Sequence, residues 1–192
     1  MYFKPDQLNS IANQIKNNNV GILPFDTVPG LTGRCCDEVA NRIFDIKGRD
    51  NKNPLLIVIP SLAHLSELVV NISSEHKRLI DKYWPGPLTL IFEKSDRVPD
   101  SVTGGLPTVA IRFPEYVPLN ILLQKVDQPI ISTSANRSGQ PSPKTILQVN
   151  DHVKKSCDFY LDGYECLYQD ESTIVDAMGE SALVLRQGIL SI

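Results

Sequence analysis

No stretch of this sequence is apolar for long enough to span a membrane. The longest apolar run, Leu55 to Pro60, has the length of a strand. The N-terminus, MYFKPDQLNS, lacks the basic segment and apolar core of a secretory signal, so a cytoplasmic protein is expected. Four cysteines occur in 192 residues, without a CxxC pair, and adjacent Cys35 and Cys36 lack zinc-ligand spacing. Reduced thiols and no bound metal are the expectation. Three histidines, His64, His76 and His152, lie in polar helical stretches with no partner at metal spacing and read as surface residues. A net charge of −3 rules out a global basic field for nucleic acid or anionic lipid, though not a local basic pocket. There is no GxSxG, no Ser-His-Asp arrangement and no Walker A loop. Covalent acyl-enzyme chemistry and P-loop phosphate binding are therefore not expected.

What is present is an ordinary globular composition, 42% apolar and 21% charged, sufficient for one domain over residues 1–192. Apolar residues at 8, 11, 12 and 15 predict a helix capped by Asp6 and ended by Asn17–Asn19. A second helix, DEVANRIFDIKG, is expected between a cap at Asp37 and Gly48. SLAHLSELVV, SSEHKRLIDKYW, VPLNILLQKV and SPKTILQVNDHV complete the helices. VGILPF, PLLIVIP, LTLIFEK, TVAIRFP, PIISTS, DFYLDG, STIVDAM and ALVLRQG read as strands. Strands adjoin one another near both ends of the pattern. The expectation is an α+β chain with a mixed, twisted sheet of about seven or eight strands and helices on both faces.

Four polar islands interrupt the apolar runs: residues 24–31, 47–54, 132–139, and Ser172-Thr173 with Arg186. Polar groups at strand ends are where sheet proteins place ligands. Lys47, Arg49 and Lys52 put three cations within six residues. A turn at Gly48 would converge Lys47 and Arg49 on one anion. The alternative is a solvated helix C-terminus, which attracts cations through its dipole. Ser132, Ser134 and Asn136 alternate, so an extended backbone puts all three on one face, as a ligand surface or as the start of a side-chain-bonded turn. Arg112 shares a strand face with Thr108 and Ala110, and either faces solvent or is held by an anion.

PFDTVPGL, IFDIKGRDNKNPLLIVI, YWPGPLTLIF, TVAIRFP, PIISTSANRSGQPSPKT, STIVD and LRQG occur in one order between residues 24 and 188. In these stretches the chain resembles the threonylcarbamoyl-adenylate synthases of the YrdC/Sua5 family, in their short form without a further C-terminal domain. The resemblance implies a YrdC/RibB-like fold around a concave basic cavity. It also implies condensation of L-threonine, bicarbonate or CO₂, and ATP into L-threonylcarbamoyl-AMP with release of pyrophosphate. A separate transferase complex then modifies adenosine 37 of tRNAs that read ANN codons. Mg²⁺ is expected to arrive with the nucleotide.

Carried over by position, Lys47 and Arg49 are the catalytic residues. Lys47, Lys52, Thr108, Ser134, Asn136 and Arg186 contact nucleotide; Thr27, Asn53, Arg112, Ser132 and Ser172 contact threonine. The family pattern P-T-D-T-x-Y-G-L departs here at Phe25 and Pro29. That departure implies a reshaped amino-acid pocket. It also keeps open a second reading, an inactive or repurposed relative that binds nucleotide, tRNA or double-stranded RNA.

Overall fold

The computed structural model describes residues 5–179 and 181–192. Its nine strands are β1 (Gly21–Leu23), β2 (Gly30–Arg34), β3 (Leu56–Val58), β4 (Leu88–Glu93), β5 (Thr108–Arg112), β6 (Ile130–Ser134), β7 (Phe159–Tyr160), β8 (Thr173–Asp176) and β9 (Leu183–Arg186). They form one sheet in the order β7-β1-β2-β6-β3-β5-β4-β8-β9. The β1–β7, β3–β5 and β4–β8 pairs are parallel and the other five antiparallel, as expected of a mixed sheet.

Alternation along the strands gives the sheet two faces. One carries Ile22, Ile57, Leu90, Ile111 and Ile131, packed under helices α2 (Asp37–Lys47) and α4 (Ser74–Tyr83). The other carries Leu23, Val58 and Ile130, packed under α1 (Pro5–Lys16) and α6 (Val117–Val126). Three shorter helices, α3 (Leu65–Leu68), α5 (Asp100–Thr103) and α7 (Asp151–Lys155), complete the set. None of the described helices is long and apolar enough to cross a membrane.

Helices therefore lie on both faces, but α1 and α6 do not cover all of theirs. Beyond Val58 and Ile130 the same face continues through Leu56, Ser132 and Ser134, and these line a cavity instead of a helix interface. The registered row Ser132–Leu56–Ala110–Ile91 runs across β6, β3, β5 and β4 and forms the cavity floor.

Several local expectations are corrected. Strand β2, GLTGR, carries two glycines and no apolar alternation, so it gives no strand signal. Its glycines serve close approach: a Cβ on Gly33 would lie 2.7 Å from Val39 Cγ1 and 2.9 Å from the Asn19 carbonyl. SPKTILQVNDHV does not form one helix. A 3₁₀ turn at Ile146–Gln148 is followed by α7, because the Asn150 side chain accepts from the His152 N–H at 2.8 Å and starts a new helix. SLAHLSELVV likewise divides into a 3₁₀ turn, Leu62–His64, and α3. Asp37 opens α2 one residue after the cap position, which Cys36 occupies. Asp6 lies in the first turn of α1.

His76 is not a surface residue. It is 2% exposed and stacks on Phe92 with ring centroids 4.1 Å apart. Its Nδ1 accepts from the Ser73 N–H at 3.2 Å, so Nε2 carries the proton and donates to the Ile91 carbonyl at 2.8 Å. A second proton on Nδ1 would forfeit that bond inside the core. Burial accordingly holds the His76 pKa below its usual value. The unfolded chain then binds the proton first, so stability rises with pH through the region just below the ordinary histidine pKa of ~6.5. His76→Gln is expected to destabilise the fold by about 1–3 kcal/mol at pH 7. Urea denaturation from pH 7 to 5 should show a shallower loss of stability for the variant than for the wild type.

Candidate active site

The bare half of the sheet is the floor of a cavity of about 590 Å³, a volume typical of small-molecule sites. Its walls are the β1–β2 loop around Thr27, the segment after α2, the loop after β6, and the chain around Glu171, Ser172 and Arg186. These are the four polar islands. Of the anticipated site residues, Thr27, Arg49, Arg112, Ser132, Ser134, Asn136, Ser172 and Arg186 line this one cavity.

Lys47 lies one layer behind the wall. Gly48, left-handed at φ 59° and ψ 43°, ends α2 and turns the chain away. The Lys47 side chain, 2% exposed, runs instead to the end of β6. Its Nζ donates to the Ser134 carbonyl, to the Asn136 carbonyl at 2.8 Å and to Asn136 Oδ1 at 3.1 Å. The Ser134 hydroxyl donates to the same Oδ1 at 2.6 Å, and the Ser138 N–H donates to the Lys47 carbonyl at 2.9 Å. The ammonium thus clamps the turn that carries Ser134 and Asn136, rather than reaching into open space. Burial, and then the Arg49 charge, push its pKa down to about 7, against a smaller upward pull from Glu171.

Arg49 is the cation of this island that lines the cavity. It donates to the Pro54 carbonyl at 3.2 Å, and burial lowers its pKa. Lys47 and Arg49 therefore do not converge side by side on one anion. The turn at Gly48 sends one behind the wall and the other onto it. Lys52 and Asn53 are exposed and outside the cavity lining, where they build the turn between Arg49 and β3. Thr108 also lies outside the lining, at the far end of β5 from Arg112.

Arg112 faces the cavity, not bulk solvent, and the anion that holds it belongs to the chain. Its guanidinium forms an ion pair with Asp26, donates to Thr27 Oγ1 at 2.9 Å and donates to the Gly86 carbonyl at 3.3 Å. Both partners of the pair are almost wholly buried. Burial and the neighbouring Arg186 charge push the Arg112 pKa down to about 9, still charged at pH 7. Phe25 lies against this group, with the guanidinium carbon 6.0 Å from its ring centroid. The Phe25 ring and Ser132 Oγ both close on Gly30, where an added Cβ would come within 2.5 Å of each. The departure at Phe25 thus puts an aromatic wall beside Arg112 and Ser132. On the opposite side, Ser172 Oγ shares a hydrogen bond with Thr89 at 2.9 Å and accepts from Arg186 at 3.1 Å.

Three side chains that hold site residues went unassigned in the sequence: Thr89 and Glu171, which line the cavity, and Asp26, which is buried outside its lining. Asp26 sits inside a quoted island, and its signal was Arg112: a lone cation within an apolar strand needs a counter-ion. Thr89 and Glu171 had no such signal. Each acts through partners elsewhere in the chain, Ser172 for Thr89, and Arg186 and Ser142 for Glu171.

Comparison with known proteins supplies the lineage. A model of the Sua5, YciO and YrdC proteins, described as telomere recombination, matches residues 13–188. A Pyrococcus abyssi protein named threonylcarbamoyl-AMP synthase is 39% identical over 178 residues, covering 92% of this chain and 52% of that protein. A Vibrio vulnificus protein of the same name is 32% identical over 184 residues, covering 94% of this chain and 98% of that one. The crystal structure of P. abyssi Sua5 complexed with L-threonine superposes with a TM-score of 0.94 at 35% identity, covering 98% of this chain and 56% of that one. The chain spans about half the length of the P. abyssi and Bacillus subtilis relatives it matches. The match to the family model over nearly the whole chain, and this superposition, place the chain in the Sua5/YrdC family.

Proposed function

We propose that the cavity binds ATP, L-threonine and bicarbonate together and forms L-threonylcarbamoyl-AMP with release of pyrophosphate. The observation that carries this reading is the meeting, in one cavity, of Arg49 and the clamped Ser134–Asn136 turn with the group Thr27, Arg112, Ser132 and Ser172. The first set offers a cation and neutral donors suited to a nucleotide. The second offers a buried guanidinium bonded to the Thr27 hydroxyl, with the Ser132 and Ser172 hydroxyls in the same lining, suited to an amino acid. The names of the relatives, and the L-threonine bound to P. abyssi Sua5, support the same assignment.

The chemistry requires little covalent help from the protein. The threonine amine attacks CO₂ with loss of a proton, or bicarbonate with loss of water, to give a carbamate. A carbamate oxygen then attacks the α-phosphorus of ATP, and pyrophosphate leaves. Three anionic species must be brought together, so the contribution of the chain is positioning and charge neutralisation. Arg112, already neutralised by Asp26 and oriented by Thr27 and the Gly86 carbonyl, keeps guanidinium hydrogens for a carboxylate without adding net charge to the core. Arg49 has no acidic partner among the described residues, so its charge is available to phosphate. Mg²⁺ enters on the nucleotide as part of that substrate. A separate transferase carries the product to tRNA.

Purified protein is expected to release pyrophosphate from ATP only when L-threonine and bicarbonate are both present. Arg49→Ala should lower kcat/KM by about 10- to 100-fold, as loss of one charged hydrogen-bonding group does. Full turnover by that variant would remove Arg49 from the site.

Lys47 gives a pH signature with two opposite signs. Its folded-state pKa of about 7 lies below the ordinary 10.5. Between those values the unfolded chain keeps a proton that the native state has lost, so this contribution to stability rises with pH. Over the same range the positive charge beside the phosphates disappears. ATP affinity is expected to fall from pH 7 to 9 while the Lys47 share of stability increases. Lys47→Met should bind ATP weakly and lose both trends, as read by calorimetric titration and urea denaturation across that interval.

A further inference from the structure

Arg186 is also neutralised from within the chain, but in a manner unlike Arg112. One edge of its guanidinium is oriented by Ser172, donating to the carbonyl at 2.8 Å and to Oγ at 3.1 Å. The other edge meets Glu171, whose Oε2 lies 2.6 Å from Nη1. The second carboxylate oxygen of Glu171 accepts from the Ser142 hydroxyl at 2.5 Å. Glu171, Arg186 and Ser142 all line the cavity, and Glu171 is the acidic side chain among its described lining residues. The carboxylate therefore ties two walls, the loop after β6 and the segment before β8, across the space that phosphates are proposed to enter.

Taking the nucleotide reading of the cavity as its basis, we propose that Glu171 is a displaceable latch: its carboxylate holds the ligand-facing edge of Arg186 and pins the 140–142 segment until a phosphate group of the nucleotide takes its place. The contrast with Asp26 supports this. Asp26 and its arginine are 0% and 3% exposed, whereas Glu171 and Arg186 are 34% and 42% exposed. A pair so open to water is weak and readily replaced by a ligand of higher charge. A carboxylate left in place would repel the incoming phosphates; swung out, it frees one oriented guanidinium edge.

The pinned segment is built to move as a unit. Pro141 and Pro143 flank Ser142 and fix φ on both sides of it. Gly139 precedes them at φ +77°, with nothing within 4 Å of an added Cβ, while Pro143 is buried at the other end. The Asn136 amide donates to the Gln140 carbonyl and the Gln140 N–H donates to the Arg137 carbonyl at 3.1 Å, so loss of the Ser142 contact frees Pro141 and Ser142 beyond that anchor. Gln140 and Pro141 also line the cavity, so this motion changes its opening.

The test is calorimetric binding of ATP to the wild type, Glu171→Ala and Ser142→Ala, with and without Mg²⁺, together with hydrogen exchange of residues 137–143. Both variants should bind ATP more tightly without Mg²⁺, Glu171→Ala by about two- to fivefold and Ser142→Ala by about twofold. Both should also exchange faster in that segment when free of ligand. Ser142→Ala leaves the charge unchanged, so its gain reports the tie itself. Tighter binding by Glu171→Ala alone would reduce the effect to simple charge and overturn the latch. Unchanged or weaker binding by Glu171→Ala would overturn it too, and a loss seen only with Mg²⁺ would make Glu171 a metal ligand instead. Failure of ATP to bind any of the three proteins would overturn the nucleotide reading itself, and the latch with it.

Discussion

The site depends on a single buried ammonium. Lys47 leaves the end of α2, passes behind the cavity wall and gathers the carbonyls of Ser134 and Asn136 with the Asn136 side chain. Without that side chain, several acceptors would converge in a poorly hydrated space with no donor between them, an arrangement that buried polar groups do not tolerate. The same clamp fixes the turn at the end of β6 and, through Gly48, sends Arg49 to the cavity face. One residue thus sets the position of three others. Its contribution is to shape the site and supply its field from behind, more than to touch a ligand from the front.

Around that clamp the fold leaves part of a sheet uncovered. Helices α1 and α6 pack one end of the face, and the rest carries Leu56, Ile91 and Ile174 interspersed with the small or polar residues serine, threonine, alanine and arginine. Those residue types would be poor partners for an apolar helix. They are suitable partners for a ligand rich in oxygen. The two buried cations behave differently. Arg112 is neutralised by Asp26 in a pair that is almost wholly buried, and Lys47 is held by neutral dipoles, with its pKa lowered to about 7.

Much of this was legible in the chain. Periodicity gave α2 and α6 nearly to the residue, and eight of the nine strands had an apolar signature. The alternation of Ser132, Ser134 and Asn136 put all three on one face, and the structure has all three lining the cavity at the end of β6. What was hidden depends on distance along the chain. Strand β2 is a strand because β1 and β6 flank it, not because GLTGR prefers one. His76 looks solvated within a polar helix until β4 places Phe92 and the Ile91 carbonyl against it. Lys52, Asn53 and Thr108 were carried to the site by position in a motif, and the turn after α2 and the length of β5 put their side chains outside the cavity lining. Proximity in sequence to Arg49 and Arg112 did not become a place in the cavity lining, even for Asn53, whose carbonyl accepts from Arg49 at 3.5 Å.

The central claim is that these separate segments assemble one cavity that joins an amino acid, a carbon dioxide equivalent and a nucleotide. Mass spectrometry of a mixture of the protein with ATP, L-threonine and isotopically labelled bicarbonate tests it most directly. The account predicts a nucleotide product containing threonine and one labelled carbon, absent when any component is omitted. Binding of ATP with no such product under any combination of the three would contradict it.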